Sequence, residues 1–144
     1  MKIKQLMEFI SLDSEIRELI QAAREARRMA HAPYSRFPVG AALLAADGRI
    51  FPGVNVENLS YGLTMCAERV AIGTAVSAGI ARFQAIAIVA ETDEPISPCG
   101  ACRQVMAEFG EALAVFSATL NGKVAQFSLA ELLPRARTGI LNQP

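Results

Sequence analysis

The sequence predicts an α/β fold in which helices and strands form separate layers. Three observations lead to this class: a helical pattern near the start, a hairpin signal at residues 47–48, and two helix-then-strand patterns in the second half. Alternation of helices with strands is typical of a sheet packed against helices. The length of 144 residues and the hydrophobic content of 52% predict one domain over residues 1–144, with residues 1–13 as an N-terminal extension.

The first half of the chain predicts a helix followed by a β-hairpin. Apolar side chains recur at helical spacing over residues 14–30, with charged residues between them. Residues 39–46 are continuously apolar, an Asp-Gly pair at 47–48 favours a two-residue turn, and residues 49–55 form the returning strand. Pro52 lies inside that returning strand, which predicts a strand at the edge of the sheet or one with a bulge.

The second half repeats a helix-then-strand order and ends with another hairpin. An Asn-Gly pair predicts its turn, and a Ser-Leu-Ala-Glu segment fits a capping box that opens a short last helix. The predicted elements are a helix at 66–77, a strand at 85–90, a helix from 98 or 99 to 110, strands at 114–118 and 123–127, and a helix from 128.

The charge composition argues against several classes of partner. Fourteen basic and fourteen acidic residues give a net charge of zero, so no overall field attracts nucleic acid or anionic lipid. No apolar run approaches the roughly 20 residues needed to span a bilayer, and residues 1–10 carry charges where a signal peptide is apolar. We therefore expect a cytoplasmic protein with neither nucleic-acid nor membrane partners. Its three cysteines, an odd number, then suggest metal or redox chemistry rather than a disulfide framework.

The cysteine spacing predicts a metal site built at two helix starts. Cys99 and Cys102 follow Pro98 at i, i+3 spacing, which places both thiols on one side of a first helical turn. Cys66 stands at the corresponding start of the preceding helix. A helix N-terminus stabilises thiolates, and three converging thiolates hold Zn²⁺ with one coordination position left open, as catalytic zinc sites require.

Glu68 adds a proton-transfer group to this pattern. It follows Cys66 by two positions, so its carboxylate can face a water molecule in the open position without ligating the metal. A ligand-x-Glu segment followed by Pro-Cys-x-x-Cys is the signature of zinc deaminases. Redox exchange at the Cys-x-x-Cys pair would give no role to Cys66 or Glu68. The only histidine, His31, lies among turn residues, and we do not expect it to be a ligand.

Four segments in a fixed order extend this pattern over most of the chain, from about residue 30 to residue 134: APYSRFPVGAA at 32–42, GVNVEN at 53–58, CAER at 66–69 and PCGACRQ at 98–104. Together they resemble the small homotetrameric cytidine deaminases. The resemblance implies a three-layer αβα fold with a five-stranded mixed sheet, and a homotetramer whose sites draw on more than one subunit. It also implies one Zn²⁺ per subunit and hydrolysis of cytidine and 2'-deoxycytidine to uridine and 2'-deoxyuridine, with release of ammonia, in pyrimidine salvage.

The resemblance also implies substrate contacts. Asn55 and Glu57 match the positions that hold the ribose 3'-hydroxyl, and their i, i+2 spacing on a strand puts both side chains on one face. Arg69 matches an arginine that donates hydrogen bonds to ligand sulfurs. The other matched positions are Phe37, which lines the nucleoside pocket, the backbone of Ala67, which faces the pyrimidine beside Glu68, and Tyr61, which reaches a neighbouring subunit's site.

One position departs from the family pattern. Such enzymes usually end in Leu-Leu-Pro-x-x-Phe, whose ring stacks on the base in a neighbouring site, whereas this chain has Arg137 in place of the Phe. A guanidinium also stacks on flat rings, but it brings a charge and five donors. We therefore expect a substrate range shifted toward a substituted or phosphorylated pyrimidine nucleoside.

Two alternative functions remain open from the sequence. The first is a deaminase of a modified cytosine nucleoside or of another aminated heterocycle. A blasticidin-type or other heterocycle deaminase would share the zinc motif but would not need the Asn55 and Glu57 pair. A non-enzymatic zinc-stabilised interaction domain would bind metal without releasing ammonia from any nucleoside.

Overall fold

The structure, a computed structural model, describes residues 4–136. Its strands and helices alternate much as the sequence predicts. The strands are β1 (Lys4–Glu8), β2 (Val39–Ala45), β3 (Ile50–Val54), β4 (Phe83–Ala90), β5 (Ala114–Thr119) and β6 (Lys123–Ser128), and the helices are α1 (Ser14–Ala26), α2 (Ala67–Ser77), α3 (Gly100–Glu108) and α4 (Leu129–Leu132).

The six strands form one mixed sheet in the order β1-β6-β5-β4-β2-β3. Strands β4 and β5 are parallel, and every other neighbouring pair is antiparallel. The predicted count of five strands is therefore wrong. The additional strand, β1, comes from the first 13 residues, where the segment KQLME shows neither alternation nor β-branched residues. The residues of β1 do not favour a strand by themselves, and this segment becomes a strand because its backbone pairs with the edge of β6.

Helices cover both faces of the sheet, as the predicted three-layer αβα arrangement requires. On one face, Leu19 and Ala23 of α1 pack with Leu44 of β2. On the other face, Leu43 of β2 lies in a second core with residues of α2 and α3, including Met106. Because successive strand residues enter different cores, β2 is apolar throughout and β4 is apolar from Ala85 to Ala90.

The element boundaries follow the predictions with one shortened helix. The helix predicted over residues 14–30 ends at Ala26, and a 3₁₀ turn continues from Arg27 to Met29. Both predicted hairpins form, with Gly48 and Gly122 at φ of 90° and 92° in their turns. Strand β3, which contains Pro52, lies at the sheet edge as predicted.

Ser128 and Glu131 form the predicted capping box at the start of α4. Within residues 4–136, no helix is long and apolar enough to cross a membrane.

Helix α2 approaches the sheet closely because Gly53 has no side chain. A Cβ atom at this position would lie 2.3 Å from the Ala71 nitrogen and 2.4 Å from the Ala67 oxygen, far inside van der Waals contact. Gly53 therefore allows the first turns of α2 to lie directly on β3. This contact sets the position of Cys66 and Glu68 relative to the strand that leads to Asn55.

We expect Gly53→Ala to lower the free energy of unfolding by at least about 1–3 kcal/mol, since the added methyl group must displace the backbone of α2. Urea denaturation measures the change. Gly73→Ala is the control, because Gly73 lies on α2, the helix that Gly53 contacts, and a Cβ there would meet no atom within 4 Å. That control should stabilise the protein by up to about 1 kcal/mol through helix propensity. A stabilising effect of both substitutions would contradict the close approach.

Candidate metal centre and active site

Three cysteine sulfurs converge where α2 and α3 begin. Cys66 and Cys99 are the residues that precede the first turns of these helices, and Cys102 lies in the first turn of α3. The three Sγ atoms lie within 4.8 Å of one another, and the Sγ atoms of Cys66 and Cys99 are 3.8 Å apart. The structure thus brings together the three residues that the sequence selects as ligands, while His31 lies outside this cluster.

This arrangement fits a zinc ion. All three cysteines are free thiols, and thiolates are preferred ligands of Zn²⁺. With Zn–S bonds of about 2.3 Å, tetrahedral geometry separates neighbouring sulfurs by roughly 3.8 Å, in agreement with the Cys66–Cys99 distance. The amide groups at both helix starts have no partners within their helices, so their positive ends stabilise the negative charge on the sulfurs.

Glu68 lies beside the cluster and is buried, with 4% of its surface exposed. Its Oε2 atom accepts a hydrogen bond from the Cys102 thiol over 2.9 Å. Burial raises the pKa of the Glu68 carboxyl above its ordinary value, because the charged form loses hydration. A raised pKa makes a carboxylate a better proton acceptor, which suits a group that takes up and returns a proton.

Hydrogen bonding within the cluster also separates the pKa values of two thiols. The interaction with the neighbouring Cys102 thiol, assisted by Arg69, lowers the pKa of the Cys66 thiol to about 5. The same interaction, with burial, raises the pKa of the Cys102 thiol. Of these two thiols, Cys66 therefore holds negative charge more readily.

Arg69 approaches the cluster from the start of α2. Its Nη2 atom is 3.5 Å from the Cys66 sulfur and 3.4 Å from the Thr64 carbonyl oxygen. The Nε atom is buried and has no hydrogen-bond partner among residues 4–136. The hydrogen bond to Cys66, with its negative charge, raises the pKa of the guanidinium, so Arg69 remains a cation beside the sulfurs.

A cavity of about 260 Å³ opens beside this cluster. Five residues assigned to catalysis or substrate contacts from the sequence line it together with Cys66 and Cys99: Phe37, Asn55, Glu57, Ala67 and Glu68. Ala67 is the first residue of α2, so its N–H group is one of the amides without a partner within the helix. The cavity therefore combines polar groups, an aromatic ring and two of the three clustered cysteines at one surface.

Asn55 forms part of the cavity wall through two hydrogen bonds. Its Oδ1 accepts from the Val39 nitrogen over 2.8 Å, and its Nδ2 donates to the Phe37 carbonyl over 2.9 Å. These bonds hold the segment that carries the Phe37 ring. The amide group retains one further N–H and one lone pair with which it can contact a ligand.

Glu57 holds the turn that precedes Phe37. Its Oε1 accepts from the backbone nitrogens of Tyr34 and Ser35 at 3.0 and 3.1 Å, and its Oε2 accepts from the Ser35 hydroxyl. The hydrogen bonds from Ser35 lower the pKa of the Glu57 carboxyl, which keeps it an acceptor at neutral pH. The turn is tightly specified, since Arg36 adopts a φ of 56° between two cavity residues.

Tyr61, which the sequence also selects, does not line this cavity. Tyr61 is 74% exposed and lines a separate groove of about 350 Å³, which shares Ser35, Glu57 and Thr64 with the cavity. Its ring lies 5.8 Å from that of Tyr34 in an edge-to-face arrangement. Arg137 lies outside the described residues.

The sequence analysis missed several residues that the structure places at the site. Ser35, Thr64, Ile96 and Ser97 also line the cavity, and Arg103 contacts the segment that carries Cys99. Ser35 and Arg103 belong to the matched motifs, and this membership was the one indication in the sequence that they lie near the site. Neither residue type nor spacing indicated what their side chains contact.

The comparisons with known proteins agree with this geometry. Residues 13–118 match the family model described as the cytidine and deoxycytidylate deaminase zinc-binding region. The chain is 50% identical over 123 residues to a cytidine deaminase from Sporosarcina psychrophila, covering 85% of this chain and 90% of that protein. It is 53% identical over 121 residues to one from Halalkalibacterium halodurans, covering 83% and 92%.

A solved structure shows the same similarity in three dimensions. The crystal structure of cytidine deaminase from Burkholderia pseudomallei superimposes with a TM-score of 0.79 at 54% sequence identity. The alignment covers 81% of this chain and 94% of that one.

Proposed function

Since this chain belongs to the cytidine and deoxycytidylate deaminase family, we propose that it is a zinc-dependent enzyme that hydrolyses cytidine and 2'-deoxycytidine to uridine and 2'-deoxyuridine with release of ammonia. One observation carries this proposal: a buried carboxyl group, Glu68, lies beside three converging thiols at the wall of a cavity. The pairing of a metal-binding cluster with a non-ligating acid is what hydrolytic deamination at a pyrimidine requires.

In the proposed reaction, Cys66, Cys99 and Cys102 hold the zinc ion. Zinc in such a site supplies Lewis acidity that makes a water molecule acidic near neutral pH. Glu68 takes a proton from the attacking water as its oxygen adds to C4 of the pyrimidine, and delivers that proton to N3. It then carries the second proton from the oxygen to the amine, which leaves as ammonia while the C4 carbonyl forms. One carboxyl group thus acts as base and then as acid.

Arg69 moderates the charge of the proposed site. Three thiolates and Zn²⁺ carry a net charge of minus one, which opposes deprotonation of a nearby water molecule. Arg69 donates toward the Cys66 sulfur and withdraws part of that charge.

The cavity wall provides the proposed nucleoside contacts. Asn55 and Glu57 offer a donor and acceptors to the ribose 3'-hydroxyl, and the ring of Phe37 packs against the nucleoside. The N–H of Ala67 at the start of α2 faces the base beside Glu68. That the polar pair lines the same cavity as Glu68 supports a nucleoside substrate over the blasticidin-type alternative.

We further propose that the enzyme assembles as a homotetramer in which Tyr61 reaches a neighbouring subunit's site. Four large apolar residues are exposed between residues 59 and 65: Leu59, Tyr61, Leu63 and Met65. A concentrated apolar surface of this kind marks an interaction site. Because the groove lined by Tyr61 shares three residues with the cavity, a subunit packed there would complete the site.

We assign the enzyme to pyrimidine salvage in the cytoplasm. The three free thiols support this location, because a reducing compartment keeps them available for metal binding.

The proposed function predicts that cytidine loses its characteristic absorbance with matching ammonia release, and that a chelator abolishes both until zinc is restored. Glu68→Gln should retain zinc but lower kcat by about 10²–10⁴-fold, since an amide cannot accept and return the protons. Glu108→Gln, an exposed carboxylate on α3, is the control and should leave kcat unchanged. Bound zinc without ammonia from any nucleoside would instead favour the interaction-domain alternative.

The substrate range tests the role of Arg137, which we propose contacts the base or a substituent on it. Steady-state kinetics should show that 5-substituted or phosphorylated pyrimidine nucleosides compete well with cytidine and 2'-deoxycytidine. Arg137→Phe should restore preference for unmodified cytidine, because the phenyl ring stacks without charge or donors. An ordinary cytidine preference that this substitution leaves unaltered would refute the proposed contact.

The assembly proposal predicts a molar mass of four chains by light scattering. Leu63→Glu should yield smaller species and lower kcat/KM, because a carboxylate at the interface loses its hydration. Ile10→Glu changes another strongly exposed apolar residue, outside the 59–65 segment, and should preserve the mass. A single-chain mass for the unmodified protein at full activity would argue against sites shared between subunits.

A further inference from the structure

Arg103 joins two parts of the molecule through three hydrogen bonds. It stands on α3 directly after Cys102 and is half-buried. Its Nε donates to the Pro98 carbonyl over 2.7 Å, and its Nη2 donates to the Ser97 hydroxyl over 3.2 Å. Its Nη1 donates to the Leu132 carbonyl over 2.9 Å. The guanidinium thus bridges the segment that carries Cys99 and the end of α4.

The segment held at one end of this bridge has little structure of its own. Residues 91–99 connect β4 to α3 without helix or strand. Ser97 and Pro98 nevertheless line the cavity, and Cys99 provides one of the three sulfurs. Pro98 has no N–H group with which to anchor itself. Within residues 4–136, the hydrogen bonds at Ser97 and Pro98 come from Arg103.

The other end of the bridge lies where a helix needs a donor. Leu132 is the last residue of α4, and the final carbonyl groups of a helix have no partner inside it. Arg103 satisfies one of these carbonyls. Leu133 and Pro134 follow, and Arg135 then adopts a φ of 56°.

We propose that Arg103 is a positioning residue that fixes the Ser97–Pro98–Cys99 segment, and with it the Cys99 sulfur and one cavity wall, against the end of α4. The guanidinium is a planar, rigid fork, so its three bonds set the separation of the two elements. A small shift of Pro98 moves the Cys99 sulfur relative to Cys66 and Glu68. This inference rests on the proposed function only for the catalytic benefit of the positioning. The positioning itself affects how the cysteines bind the metal.

Arg103→Lys tests this role, because an ammonium group is a point charge that cannot reproduce the fork. The zinc-loaded protein is mixed with a chromogenic chelator without substrate, and the rate of zinc release is recorded beside kcat and KM. We expect faster release and a kcat lower by about tenfold to a hundredfold, with a smaller change in KM, as misplacement of reacting groups produces. Arg24→Lys is the matched control, because Arg24 also donates to a main-chain carbonyl, that of Leu120 over 3.3 Å, but lies outside the cavity. This substitution should change neither the rate of zinc release nor kcat.

Chemical rescue separates positioning from folding. In Arg103→Ala, added guanidinium chloride at millimolar concentration should slow zinc release, whereas equal sodium chloride should not. Wild-type zinc release and kcat in Arg103→Lys would overturn the inference. So would a loss of thermal stability in Arg103→Ala with unchanged zinc release from the folded protein. Because zinc release needs no nucleoside, failure of the unmodified chain to deaminate any substrate would contradict the proposed function while leaving this comparison decisive.

Discussion

The meeting of two helix starts at one edge of the sheet is the constraint on which the site depends. Each start contributes amide groups without partners within the helix, and together they carry three thiols and one buried carboxyl. As thiolates, the three sulfurs would repel one another at this separation. The helix dipoles and Arg69 offset part of that repulsion, and a zinc ion held by the sulfurs would add to this, so the architecture supports the metal chemistry.

Around this centre, the cavity walls are irregular segments fixed by side chains. Asn55 and Glu57 hold the turn that leads to Phe37, and Arg103 holds the segment that leads to Cys99. Each of these anchors stands on or beside a regular element. The site therefore gains rigidity from hydrogen bonds between side chains and backbone atoms, although its walls are neither helix nor strand at these positions.

Residue spacing predicted the metal ligands and the proton-transfer group better than it predicted the contacts that hold the cavity walls. Helical spacing groups Cys99 with Cys102, and Cys66 stands two positions before Glu68. The two-part zinc signature then joins these pairs, although Glu68 and Cys102 are 34 positions apart. The anchoring contacts of Asn55, Glu57 and Arg103 join residues up to 29 positions apart, and no local pattern encodes such contacts. Strand β1 was missed for a related reason: its pairing with β6 depends on the free edge of a distant strand rather than on its own residues.

Strand β1 has a further consequence for how the molecule can associate. It occupies the edge of β6, and the opposite edge strand, β3, contains Pro52, which has no N–H group to offer an additional strand. Strand β1 is itself short and shifts register between Lys4 and Met7. Both margins of the sheet are thereby poor templates for strand addition. Two copies of this chain are therefore expected to associate through loops and helices rather than through their sheet edges. This disfavours open-ended growth of the sheet into a fibre.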